Sequence, residues 1–490
     1  MEFIKNTGYR YIWGKNSAVK WLVVLFFEIL IAGLAITSPL ALLIFVVASI
    51  VIISLLVKPE YSLYTIILLI IPGRGVTFTL FGVTQYLSHL FVMVVLLSWI
   101  IARLANTRPP SPGTGCDQPL LILCAWALLS LTWSHDRIVG LEDMLKLSSA
   151  VALVFLITAL INKPKNLRIV LGVFIFMAFI DAIIAVNYLY SVFWIQKKWT
   201  FLGSLDVVFM FWTKHRAGVI GRCMGFAPAH STAVTLSFAL TFCMMFFLVT
   251  QNKKRRMIFL GLALFLFAVI VGTLTKSMII SALICTTYVI LHLRPFRQRF
   301  FTTLFVIFVL VIASFVLIRI QDIAKSAHVV GENLKVQSEE MGETSIGQRI
   351  KMSKIGLQKL WETGGLGTGI GGFLHYTPYK KMDGSHPAIL WDLGFVGLAL
   401  WIWLLSGAYR LFVMAIKNSN NEYYKRMLIV YLGGYVNVLI SWIVTFAYAD
   451  IYLWLYLGIG FALAHLAQTE PFDDSIRLPF SSNGGSIVIL

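Results

Sequence analysis

Apolar residues run through this chain in long unbroken stretches, clearest at Ala41–Val57, Met257–Thr273 and Phe301–Ile318. None of them alternates with the two-residue period of a barrel strand. A backbone inside a bilayer has to close its own hydrogen bonds, so continuous runs of this kind predict helices. About 20 residues are needed to cross the hydrocarbon. On that measure the chain divides into roughly fourteen spans. They begin near Trp21, Pro39, Tyr61, Gln85, Pro119, Leu145, Arg168, His230, Met257, Ser277, Phe300, His386, Met427 and Ile451, with Pro72-Gly73 interrupting the third.

The polar gaps between these runs carry the topology. Every second gap is rich in Lys and Arg: Lys58; Arg103 and Arg108; Lys163, Lys165 and Arg168; Lys253 to Arg256; Arg294, Arg297 and Arg299; then Arg410, Lys417, Lys425 and Arg426. Cations concentrate on the cytoplasmic side of membrane proteins. The alternation therefore predicts cytoplasmic termini and puts the remaining gaps outside. Two of the outer gaps are long, from about Gln196 to Pro228 and from Gln321 to Ser385. Loops of that length inside a compact protein are functional or disordered. The expected organisation is N-terminal spans over 1–195, a membrane region with a basic outer loop over 196–320, and a large outer loop over 321–385. C-terminal spans over 386–467 and a cytoplasmic tail over 468–490 complete it. No internal repeat is evident.

Composition agrees. Of 490 residues 59% are hydrophobic and only 13% charged, a balance suited to lipid rather than water. The net charge of +18 suggests a nucleic-acid partner only until the charges are located, since most of the excess lies in the short gaps. Cys116, Cys124, Cys223, Cys243 and Cys285 are odd in number and scattered, which supports neither a disulfide framework nor a CxxC metal site. The expected class is an all-α integral membrane protein of about 12–14 transmembrane helices, with a long outer loop carrying amphipathic helix.

Candidate chemistry collects on the outer side. Lys214, Arg216 and Arg222 crowd the first long loop, and His230 stands where the chain re-enters the membrane. Cations there run against the positive-inside bias, which favours a functional reading over simple anchoring. In the second loop, Ser345 to Glu362 places Ile346, Ile350, Leu357 and Trp361 at helical spacing among lysines, as in a helix lying on a bilayer surface. Arg349 falls in its first turn, where unpaired N–H groups and an arginine fork suit a phosphate. Gly364 to Phe373 contains GxGxxG at Gly367, Gly369 and Gly372, but no strand precedes it, so a helix stop and tight turn are expected rather than a dinucleotide loop. His386 follows at the next membrane entry, with Pro387 suited to a first helical turn. Glu28, Lys146, Asp181 and Lys276 are ionisable residues at or near membrane depth.

Three segments carry a resemblance to the O-antigen ligase and O-antigen polymerase superfamily of membrane glycosyltransferases. GRCMGFAPAHSTAV is similar to the family's Arg-Gly-Phe-Pro-Asn helix entry, GQRIKMSKIGLQKLWETGGLGTGIGGF to its Arg, Trp and Gly-x-Gly stretch, and SHPAILWDLGFVGL to its His-Asn stretch. Together they span about Lys214 to Leu400. Ala229 and Pro387 stand where the family commonly has Asn, and Lys276 replaces an Arg.

The resemblance implies an inverting, metal-independent glycosyltransferase of a bacterial inner membrane, with no cofactor and its site on the periplasmic face. The donor would be an undecaprenyl-pyrophosphate-linked glycan, and the acceptor lipid A–core oligosaccharide or another lipid-linked glycan. Arg222 and Arg349 would hold the leaving pyrophosphate, His386 would take the acceptor proton, and Lys214, Arg216, His230 and Lys276 would contribute to substrate binding. A transporter or flippase for lipid-linked sugars is the rival from another class, and a non-catalytic assembly subunit the third.

Overall fold

The computed structural model describes residues 59–71, 77–80, 83–104, 113–190, 229–273, 275–292, 345–377, 385–441, 448 and 450–469. The described residues are almost entirely helical. The order is α1 (Pro59–Ile70), β1 (Thr77–Leu80), β2 (Val83–Tyr86), α2 (Leu87–Leu104), α3 (Asp117–Ser130), α4 (Arg137–Leu160), α5 (Pro164–Tyr190) and α6 (Ala229–Val249). There follow α7 (Lys253–Gly272), α8 (Lys276–His292), α9 (Ser345–Glu362), a 3-10 turn (Phe373–Tyr376), α10 (Ser385–Asn418), α11 (Glu422–Ser441) and α12 (Ile451–Thr469). Six of these helices, α4, α5, α6, α7, α10 and α12, are long and apolar enough to cross a membrane. The expected spans at Trp21, Pro39 and Phe300 lie outside the described residues, as do the first long loop and most of the tail.

A short hairpin is added to the helices. α1 stops at Ile70, just before Pro72-Gly73, and the threonine-rich pair β1–β2 falls between it and α2, reaching the start expected near Gln85 for the fourth span. Its strands run antiparallel, with Thr77 opposite Tyr86 and Leu80 opposite Val83. Four-residue strands are too short for their alternation to stand out from an apolar run. The hairpin is tied to α4, since the Thr84 N–H donates to Glu142 Oε2 at 3.3 Å and Gln85 Nε2 donates to the Glu142 carbonyl at 2.9 Å.

Two helix starts show local chemistry and topology working differently. Asp136 caps α4, its Oδ1 accepting from the N–H groups of Ile138 and Val139, each at 3.1 Å. Asn252 caps α7 in the same way through Lys254 and Arg255. Yet the first turn of α7 is Lys253-Lys254-Arg255-Arg256, four cations at the positive end of a helix dipole. The dipole disfavours that placement, and the Asn252 cap offsets part of the cost.

α6 and α12 form the centre: 94% and 89% of their apolar windows are buried, against 44% for α7 at the edge. α12 packs along α4 and α11, and α6 along α7 and α11. A reciprocal lock joins α11 to α12. The Tyr456 hydroxyl donates to the Tyr431 carbonyl at 2.9 Å, and the Tyr431 hydroxyl donates to the Tyr456 carbonyl. Each tyrosine also meets a glycine of the opposite helix, the Tyr431 ring against Gly460 and the Tyr456 hydroxyl against Gly434. Small residues let membrane helices approach this closely.

Side-chain contacts tie the helices together at both ends of the bundle. At one end the Arg168 guanidinium lies 5.4 Å from the Tyr423 ring centre, and the Tyr64 hydroxyl donates to Asn166 Oδ1 at 3.3 Å. At the other, the Tyr452 hydroxyl donates to the Ile70 carbonyl at 3.1 Å, and Ser134 Oγ donates to the Ile370 carbonyl at 3.0 Å.

Candidate functional site at the interrupted helix

α10 is two helices in line. Gly394, at φ 70° and ψ −165°, separates Ser385–Leu393 from Phe395–Asn418. A break of this kind strips partners from the carbonyls before it and the N–H after it, which in lipid costs several kcal/mol per group, so such breaks persist only where protein restores the bonds. Here four bonds of 2.9 Å do so. The N–H groups of Thr368 and Gly369 donate to the carbonyls of Trp391 and Asp392, Trp126 Nε1 donates to the Leu393 carbonyl, and the Phe395 N–H donates to the Gly365 carbonyl.

The glycine-rich segment after α9 is shaped for this contact. Gly365, Gly367, Gly369 and Gly371 all have positive φ, a conformation that costs an L side chain about 1–2 kcal/mol. Space is equally restricting: a Cβ on Gly367 would stand 2.6 Å from the Asp392 carbonyl oxygen, and one on Gly369 would stand 2.6 Å from Ser134 Cα. The Ile370 N–H donates to Ser130 Oγ at 3.0 Å, fastening the segment to the α3–α4 turn as well. The motif that formally matches GxGxxG follows a helix, α9, and closes a gap in another helix.

Asp392 organises the centre of this unit. It is 6% exposed, its Oδ1 accepts from the Phe373 N–H at 3.1 Å, and its Oδ2 accepts from the Tyr448 hydroxyl at 3.2 Å. Sequence reasoning passed over it, although the rule that singled out Asp181, a carboxylate inside an apolar run, applies equally to it. Lys146, another residue singled out that way, is held within α4 by Glu142 at 2.7 Å and Asp143 at 3.1 Å. Asp181 is 1% exposed on α5. Also unforeseen is a close pair on the same end of the bundle, His135 and His375, with ring centres 3.8 Å apart and planes tilted by 36°. Lys359 Nζ lies 4.6 Å from the neighbouring Tyr376 ring centre.

His386 is second in the first half of α10, with Pro387 in the same turn. Half-buried, it is engaged at both ring nitrogens: Nδ1 accepts from the indole N–H of Trp401 at 2.9 Å, and Nε2 lies 3.4 Å from the Leu439 carbonyl on α11. An indole only donates, so the network assigns the lone pair to Nδ1 and the proton to Nε2. Trp401 is itself fully buried and packs edge-on against Trp454 at 5.8 Å. In this arrangement the imidazole is neutral, and its basic nitrogen faces the protein.

Of the other candidates, Lys214, Arg216, Arg222 and Glu28 lie outside the described residues. For His230, Lys276 and Arg349 the structure describes the backbone: His230 is second in α6, Lys276 first in α8 and Arg349 fifth in α9. α9 packs on α10, where Met352 joins Trp391 and Phe373 in a small apolar cluster and Gly356 lies directly under the Trp391 ring. The helix of Arg349 and the half-helix of His386 therefore belong to one packed unit, closed by the glycine segment. No family model matches this chain, and no curated protein matches it either.

Proposed function

We propose that the protein is a membrane glycosyltransferase that moves a glycan from an undecaprenyl-pyrophosphate-type donor to an acceptor hydroxyl on the periplasmic side, as an O-antigen ligase acting on lipid A–core. The observation that carries the reading is the joining of α9, the glycine segment and the His386 half-helix at one end of an apolar helical bundle. Two of the three segments that carry the family resemblance are thus in direct contact.

In the proposed reaction the acceptor oxygen attacks the anomeric carbon while the bond from that carbon to the pyrophosphate oxygen breaks. The bonding pair leaves with the pyrophosphate, and Arg222 and Arg349 offset its charge through charge-assisted hydrogen bonds. The acceptor proton passes to His386. Nε2 already carries a proton in the observed network, so the accepting atom is Nδ1, and the Trp401 bond has to open first.

The test is glycan transfer by the full-length protein in nanodiscs with chelator present, wild type against His386→Ala, each acceptor supplied separately. Transfer to lipid A–core supports a ligase, and transfer to a second lipid-linked repeat unit makes it a polymerase. Undiminished transfer by His386→Ala removes the base from the scheme.

One observation favours a second reading, a transporter for lipid-linked sugar: an interrupted membrane helix, which transporters use to line substrate paths. Movement of the lipid-linked glycan across vesicles without any transfer product would select it.

A further inference from the structure

α9 has two different long faces. Met352, Gly356 and Leu360 are buried against α10, whereas Lys354, Leu357 and Trp361 are exposed, Trp361 at 74%. The spacing of the second set, three residues and then four, puts it along one edge of the helix. That edge does not end with α9. Leu366, in the turn that follows, is exposed, Gly365 lies under the Phe395 ring, and Phe395 and Val396 open the exposed side of the second half of α10. The same side continues into Ile402 and Trp403 on a helix apolar enough to cross the membrane, where an exposed apolar surface faces acyl chains.

We infer that the Lys354–Leu357–Trp361 edge of α9 is a lipid-docking surface that seats the helix in the headgroup layer beside α10. Exposed apolar side chains on both α9 and the adjoining membrane-length half of α10, met at the Gly365–Phe395 contact, select a bilayer as the occupant rather than a soluble partner. The order of side chains fits that depth: a tryptophan suits the boundary between acyl chains and headgroups, and Lys354 suits net-anionic headgroups. The inference is independent of the reaction proposed above, since it concerns where α9 rests and not what its neighbours catalyse.

Photocrosslinking tests it. Benzoylphenylalanine is placed in turn at positions 357, 361 and 362 of the full chain, reconstituted into phosphatidylcholine vesicles with or without phosphatidylglycerol. Folding is checked by size-exclusion elution of each variant. Lipid adducts are expected at 357 and 361 and to be several-fold fewer at 362, which lies a quarter-turn away on the polar side. Lys354→Glu is expected to lower the yield several-fold with phosphatidylglycerol and to leave it unchanged without. Equal adducts at all three positions, crosslinks to a second copy of the chain, or no adducts at all overturn the surface; indifference of Lys354→Glu to lipid charge overturns the role given to Lys354 toward anionic headgroups.

Discussion

The indole of Trp401 donates its N–H to the basic nitrogen of His386 across 2.9 Å, and both residues belong to α10 on opposite sides of its break. If His386 receives the acceptor proton, His386→Ala should lower single-turnover transfer by about 100-fold or more. Trp401→Phe removes the donor that occupies Nδ1 and should raise that rate, at a stability cost of about 1–3 kcal/mol for the shrunken core side chain. Rapid-quench assays alongside thermal unfolding check both. A fall as deep as that of His386→Ala would instead make Trp401 a positioning residue.

Gly394→Ala should be among the most damaging single substitutions. Its φ of 70° disfavours any side chain, and a Cβ there would overlap the Gly365 carbonyl that receives the Phe395 N–H. A loss of about 3 kcal/mol or more is expected. Early proteolytic cutting between α9 and α10, ahead of global unfolding, would show that the damage starts at this junction.

The lock between α11 and α12 predicts an effect far from any chemistry. Gly460→Ala forces a Cβ into the Tyr431 ring, and Gly434→Ala forces one into the Tyr456 hydroxyl. Each should cost about 1–3 kcal/mol by overpacking. The double variant should cost less than the sum, since one bond network is disrupted twice. Unfolding in a fixed detergent measures all three.

Asp392→Ala leaves the Phe373 N–H and the Tyr448 hydroxyl without their carboxylate acceptor. The expected loss is about 1–3 kcal/mol per stranded buried donor. Tyr448→Phe removes only one partner and should cost less. Hydrogen exchange at Phe373 separates the two, rising sharply in Asp392→Ala and little in Tyr448→Phe.

The last turn of α9 carries a pH dependence of known sign. Hydrogen bonds from Lys359 and then Gln358 hold the Glu362 carboxyl below the ordinary carboxylate range. Its contribution is present above the unfolded value and is lost as pH falls through the lower folded value. Because the pair is solvent-exposed, the effect should be small and should fade with added salt. Helix fraying followed by exchange near Glu362, between neutral and strongly acidic pH, checks the direction.

Much of the fold was legible because apolar runs report spans directly. The expected starts near Ile451, Ser277 and His230 fall within a residue of helix starts, and α9 has the bounds Ser345 and Glu362 that its periodicity predicts. Hydropathy is blind to φ, however, and Leu393-Gly394-Phe395 reads like any membrane helix containing glycine. The break became visible only with its distant partners, Trp126 and the Gly365–Gly369 backbone. The site was less legible for the same reason. A lone histidine at a membrane entry can be picked out from sequence, but its tie to a tryptophan fifteen residues on, and to a carbonyl of α11, depends on packing that no local pattern encodes.

The interruption also divides labour along α10. Of its 34 residues, the ten from Ser385 through Gly394 precede or form the break, leaving 24 in the second half. At 1.5 Å per residue that half is about 36 Å long, already enough for the hydrocarbon thickness. The segment bearing His386 is therefore surplus to anchorage. It serves instead to join α9 and the glycine segment to the bundle, while the longer half supplies the span.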